Sequence, residues 1–168
     1  MTLFRGKKTE ASHGIELYGT DDFIIRTREA LRMLQAAPHF DIVREHLAVI
    51  RQGKRSAMKP WSAKPMFVVG AATWKHSPLW YAGAIAHDAY HAKLYQDAKK
   101  RGGADPDADA WTGADAELQC LGFQKQVLAY LGADGTTMAY LERCQKKPTY
   151  QGANKGWRSW LDYARRWW

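Results

Sequence analysis

The sequence predicts an α+β fold: a single domain, mostly helical with a small sheet, built around one long helix that carries two histidines. Three observations predict it. Apolar residues recur at helical spacing in several stretches, each bounded by capping or stop residues. Two short runs show strand patterns instead. No repeat or compositional break divides the 168 residues, a length that suits one domain with a real core. The core is expected over 22–146, with 147–168 as a Trp-rich C-terminal tail.

Residues 1–20 are polar and punctuated by glycine. One strand is expected there, over 14–18, where Ile15 and Leu17 alternate with polar neighbours. Thr20, Asp21 and Asp22 offer helix caps. Phe23, Ile24, Ala30, Leu31 and Leu34 then share one face of a helix that Pro38 stops after about Ala37. A second helix is expected from about Phe40 to Ile50, with Ile42, Val43, Leu47 and Ile50 inward. Residues 51–65 read as a basic loop containing Pro60 and Pro65. The best strand of the chain runs from Met66 to Trp74, apolar and β-branched in its middle.

Ser77 to Lys99 reads as one long helix. Ser77 is a good N-cap, and Pro78 at the first helical position gives up an N–H that would be unpaired there anyway. Its small residues (Ala82, Gly83, Ala84, Ala86, Ala89, Ala92) allow close packing against neighbours. A polar loop follows over 100–109. Thr112 and Asp115 form a variant capping box opening a helix to about Leu131, with Glu117, Leu121, Gln124 and Leu128 on one stripe. The Gly132-Ala133-Asp134-Gly135 turn stops it. A further helix is expected from Thr136 to Lys146. Residues 156–168 read as an amphipathic helix with Trp157, Trp160, Leu161 and Ala164 on one face, folded back on the core because such a face would aggregate if exposed.

Lys and Arg number 25 against 17 Asp and Glu, a net charge of +8. The positive residues are scattered and accompany no nucleic-acid motif, so a solvated basic surface explains them better than a nucleic-acid partner. No apolar run is long enough to span a membrane, and residues 1–8 lack the apolar region of a signal peptide. Cys120 and Cys144 do not make a disulfide framework. A reducing, cytoplasmic setting is the simplest expectation.

The chemistry is expected at His87 and His91. Four residues apart on a helix, both imidazoles leave the same face, the spacing at which two nitrogens hold one metal ion. Catalytic zinc takes three protein ligands and leaves one position to water. A carboxylate is the usual complement to two imidazoles, and Glu117, in the first turn of the next helix, is the leading third ligand. Asp88, beside His87, is placed to take the proton from the water and pass it to a leaving group.

The order of apolar strand, H-D-x-x-H helix and glutamate helix resembles the gluzincin group of zinc metallopeptidases, above all its minimal-domain members. The resemblance covers roughly 65–131. It implies that His87, His91 and Glu117 hold Zn2+, that Asp88 is the general base where the group has glutamate, and that the substrate is a peptide or protein. The strand around Val68 to Thr73 would be the edge on which an extended peptide pairs, which makes Val69 and Ala71 substrate-binding residues. His76, at the strand–helix corner, is a further candidate for positioning substrate. Larger members carry an aspartate one turn after the glutamate; here that position is Leu121, so no partner for a ligand is legible.

Two other readings compete. The run Ala84-Ile85-Ala86-His87-Asp88-Ala89 also resembles the helix of HD-type phosphohydrolases. That resemblance implies His87 and Asp88 as ligands of iron, manganese or magnesium, with His46 or His39 upstream and Asp97 or Asp134 downstream. The third reading is a metal-binding or protein-interaction domain without catalysis. Cys120, one turn past Glu117, reads better as a small buried residue than as a thiol ligand.

Overall fold

A computed structural model of the chain describes residues 8–146. The predicted tail helix over 156–168 lies outside them. The elements run β1 (Lys8–Ser12), β2 (Ile15–Gly19), α1 (Asp21–Gln35), α2 (Phe40–His46), β3 (Val49–Gln52), β4 (Ala57–Lys59), β5 (Met66–Val69), α3 (Ala71–Trp74), α4 (Pro78–Gly102), α5 (Asp109–Thr112), α6 (Ala114–Tyr130) and α7 (Gly135–Lys146). The fold is α+β, with the strands in one five-stranded sheet of order β1-β2-β3-β5-β4. The central pairs β2–β3 and β3–β5 are parallel, and the outer pairs β1–β2 and β4–β5 are antiparallel.

One face of the sheet carries Ile15, Leu17, Ile50, Phe67 and Val69, all buried, into the main core with α1 and α4. The alternate positions Glu16, Tyr18, Arg51 and Met66 turn the other way and line a groove of about 650 Å³ with Lys8 and Lys64. The helical chemistry therefore lies on the opposite side of the sheet from this basic groove.

Helix α4 is the axis of the molecule. Its predicted start holds: Ser77 Oγ accepts from Trp80 N–H at 3.1 Å and Pro78 opens the helix. The helix runs to Gly102, three residues beyond the expected Lys99, and Gly103 caps it in the left-handed conformation at φ 69°. Buried residues run around the whole helix from Trp80 to Ala86, because α1, α2 and α6 all pack on it. The small residues make that possible. A Cβ added at Gly83 would lie 2.8 Å from Leu128 Cδ1, so α4 and α6 approach as closely as glycine permits. Tyr81 ties α4 to α1: Thr27 gives its own proton to the Phe23 carbonyl at 2.7 Å, so the Tyr81 hydroxyl donates to Thr27 Oγ1 at 2.9 Å.

Several expectations are corrected. The helix from Phe40 ends at His46, not Ile50; Leu47 is extended and Val49-Ile50 continue as β3. The β-branched pair finds a parallel slot between β2 and β5, which outweighs the helical spacing. The region 51–65 is not simply a loop, since it completes β3 and contains β4. The strand from Met66 stops at Val69. Gly70 then caps a short helix, and a Cβ there would crowd the Arg55 and Ser56 backbone at 3.1 Å. Thr112 does not cap α6. It ends α5, with its hydroxyl donating to the Ala108 carbonyl at 2.8 Å, and Gly113 takes the N-cap position. The core also begins before residue 22, because Ile15 and Leu17 are fully buried. Cys120 and Cys144 are free thiols.

Candidate metal centre

The site forms where α4 lies along α6. His87 and His91 rise from adjacent turns of α4, and Glu117 and Cys120 face them from adjacent turns of α6. The two Nε2 atoms are 3.1 Å apart. Glu117 Oε2 lies 3.5 Å from His87 Nε2, and Oε1 lies 3.5 Å from His91 Nε2. The ligand atoms of His87, His91 and Cys120 all fall within 4.8 Å of one another. Relative exposure is 8% for His87, 6% for His91, 9% for Glu117 and 0% for Cys120.

The distal ring nitrogens set the chemistry. His91 Nδ1 is 2.6 Å from the Trp111 carbonyl oxygen, which can only accept, so Nδ1 carries the hydrogen. That carbonyl is available because it sits in the last turn of α5, where helix carbonyls lack intrahelical partners. His87 Nδ1 is 3.1 Å from Gln124 Oε1, another acceptor. A neutral imidazole has one N–H, so when both rings are neutral their Nε2 atoms present lone pairs toward each other and toward a carboxylate. Such a convergence of acceptors could hold a cation at its centre. Ligand atoms on a tetrahedral zinc with bonds of about 2.0–2.2 Å lie roughly 3.3–3.6 Å apart. The two 3.5 Å separations, each to a different Glu117 oxygen, fall in that range, and the 3.1 Å between the two Nε2 atoms is slightly shorter.

The electrostatics agree with the geometry. Burial works against a charged His91, but Cys120 and Glu117 beside it outweigh burial and hold its pKa well above the ordinary histidine value. Burial would likewise raise the Glu117 carboxyl, yet the two imidazoles hold it well below the usual carboxylate range. The Cys120 thiol is pushed up, chiefly by burial. Without a metal, the cluster thus holds a proton in the place a cation would take. Asp88 adjoins the cluster on α4. Burial pushes its carboxyl up to about 6, partly opposed by His87 and His91.

The structure thus brings His87, His91 and Glu117 together, with Asp88 beside them. It does not bring in the substrate residues. Val69 is fully buried and its strand is interior to the sheet, flanked by β3 and β4, so β5 offers no edge for a peptide. Ala71 lies exposed on α3. His76 is exposed at the α3–α4 corner, its ring 5.7 Å from that of Trp80, and α4 carries His87 roughly 13 Å farther along its axis. The HD-type ligand set does not assemble either. Asp97 lies ten residues past His87, about 15 Å along the helix, in an ion pair with Lys93. Asp134 caps α7 through Thr137 N–H at 2.7 Å. Among the described residues, the metal-capable group is completed by Cys120 rather than an aspartate.

Sequence reasoning missed two parts of the site and ranked a third low. Cys120 is buried, as expected, but it also stands with the two histidines: E-x-x-C puts thiol and carboxylate on one helix face opposite H-x-x-x-H. Gln124 does the orienting work that Leu121 does not, one turn beyond the position inspected. The Trp111 carbonyl had no signal, since α5 itself was not legible. No family model, curated protein or solved structure matches the chain.

Proposed function

We propose that the protein is a zinc-dependent hydrolase of peptide or amide bonds, similar in its site to minimal-domain gluzincins. His87, His91 and Glu117 are the residues that would hold Zn2+, and Asp88 is the general base. The observation that carries this reading is the meeting of two Nε2 lone pairs and a carboxylate at 3.1–3.5 Å, with both distal nitrogens engaged by acceptors. Bound zinc would supply Lewis acidity and lower the pKa of water at the site to roughly 7.

The protein's own groups do the rest. Gln124 and the Trp111 carbonyl hold the two rings in one tautomer and orientation. Asp88, with a carboxyl near 6, is poised to accept a proton at neutral pH and return it to a leaving amine. The edge for an extended substrate moves from β5 to β4, whose outer side is unpaired among the described residues. The turn after β4 carries Trp61, which meets Trp111 at 5.6 Å, so this edge leads toward the element that holds His91.

The test is hydrolysis of an unstructured protein such as casein by the zinc-loaded full chain, compared with Asp88→Asn. Cleavage that the variant loses while keeping one zinc per chain supports the reading. Zinc binding with no cleavage by either protein contradicts the hydrolase part.

A further inference from the structure

We propose that Cys120 is a fourth protein ligand of the same metal, so that the resting centre is closed by a thiolate. The inference rests on the metal-centre reading above and goes beyond it, because His87, His91 and Glu117 alone leave a position open. Cys120 is fully buried one turn from Glu117 on α6, and its sulfur lies within 4.8 Å of both histidine nitrogens. A tetrahedral zinc with a Zn–S bond of about 2.3 Å puts sulfur roughly 3.6 Å from a ligating nitrogen. An inward shift of at most about 1.2 Å closes the difference, within reach of a side-chain rotation.

Charge argues the same way. Two neutral imidazoles, one carboxylate and one thiolate balance a divalent cation, giving a neutral group in a nearly solvent-free site. The three-ligand set alone would carry a single positive charge, balanced only by the Asp88 carboxylate that adjoins it and not at the metal itself. Binding the metal releases the thiol proton and the proton held between the two imidazoles, both to solvent.

The test is cobalt(II) substituted into the full chain, read by its spectrum. Wild type and Cys144→Ala should each bind one cobalt and show a thiolate-to-cobalt charge-transfer band in the near ultraviolet. Cys120→Ala should keep the cobalt and lose the band. X-ray absorption of the wild-type zinc protein should find one sulfur at about 2.3 Å, a readout that stands even where Cys120→Ala does not fold. One bound metal with only nitrogen and oxygen neighbours, and no charge-transfer band, would overturn the thiolate ligand and leave the three-ligand centre intact. Absence of any bound metal would overturn both.

Discussion

Gly83→Ala tests the link between helix packing and the site. Gly83 lies one turn before His87 on α4, and Leu128 lies one turn after Gln124 on α6, so their contact adjoins the His87–Gln124 hydrogen bond along one interface. A methyl at Gly83 would meet Leu128 Cδ1, Cγ and Cδ2 at 2.8, 2.9 and 3.0 Å. Carbon atoms rest at about 3.5–4.0 Å, and Leu128 is fully buried in a cluster with Trp80, Leu121 and Leu141. The helices must therefore part by about 1 Å. Overpacking of this kind costs up to about 3 kcal/mol, against about 1 kcal/mol gained from alanine's helix propensity. The net loss of about 2 kcal/mol lowers Tm by about 4–8 °C. The same displacement stretches the 3.1 Å bond from His87 Nδ1 to Gln124 beyond hydrogen-bond range, and losing such an orienting contact weakens metal binding about 10–100-fold. Thermal unfolding with zinc titration is the assay, and Gly122→Ala is the control. The nearest atom to a Cβ at Gly122 is Gln145 Nε2 at 3.9 Å, so that variant should gain about 0.5–1 kcal/mol. Gly83→Ala as stable as Gly122→Ala, with undiminished zinc affinity, would refute the packing argument.

Further outcomes follow from the same geometry. Gln124→Leu should weaken zinc binding about 10–100-fold at unchanged stoichiometry; stability should hold, since the Gln124 amide nitrogen is buried without a hydrogen-bond partner among the described residues, and titration calorimetry beside thermal unfolding separates the two. Asp88→Asn should reduce hydrolysis by about 10²–10⁴ yet raise the Tm of the metal-free protein at pH 7. The sign follows because burial lifts the Asp88 carboxyl to about 6, so ionised Asp88 destabilises the fold increasingly as pH rises from about 4 to 6. Zinc at 100 times its Kd should add about 2.7 kcal/mol, or about 5–11 °C in Tm, and a chelator should remove it. Apparent zinc affinity should fall as pH falls, because the raised pKa of His91 makes a proton the competitor for the same lone pairs.

The parts legible in the sequence were those encoded locally. Ser77, Pro78 and the small-residue run marked α4 almost to its end, and helical spacing alone put His87 beside His91. Glu117 was found because α6 begins close to where its pattern does. What stayed hidden depends on partners distant in sequence. Lys8–Ser12 has no apolar alternation, and it is a strand because His13-Gly14, both at positive φ, fold it onto β2. Ala57–Lys59 is too short to signal a strand, yet it covers β5 and removes the edge expected at Val69. Cys120 looked like any buried small residue until α6 was laid against α4.

Zinc anomalous scattering from crystals of the zinc-loaded protein tests the central claim most directly. The account predicts one peak per chain, about 2.0–2.2 Å from His87 Nε2, His91 Nε2 and a Glu117 oxygen. Crystals with no peak there, in which the two rings instead share a proton at the 3.1 Å separation, would contradict it.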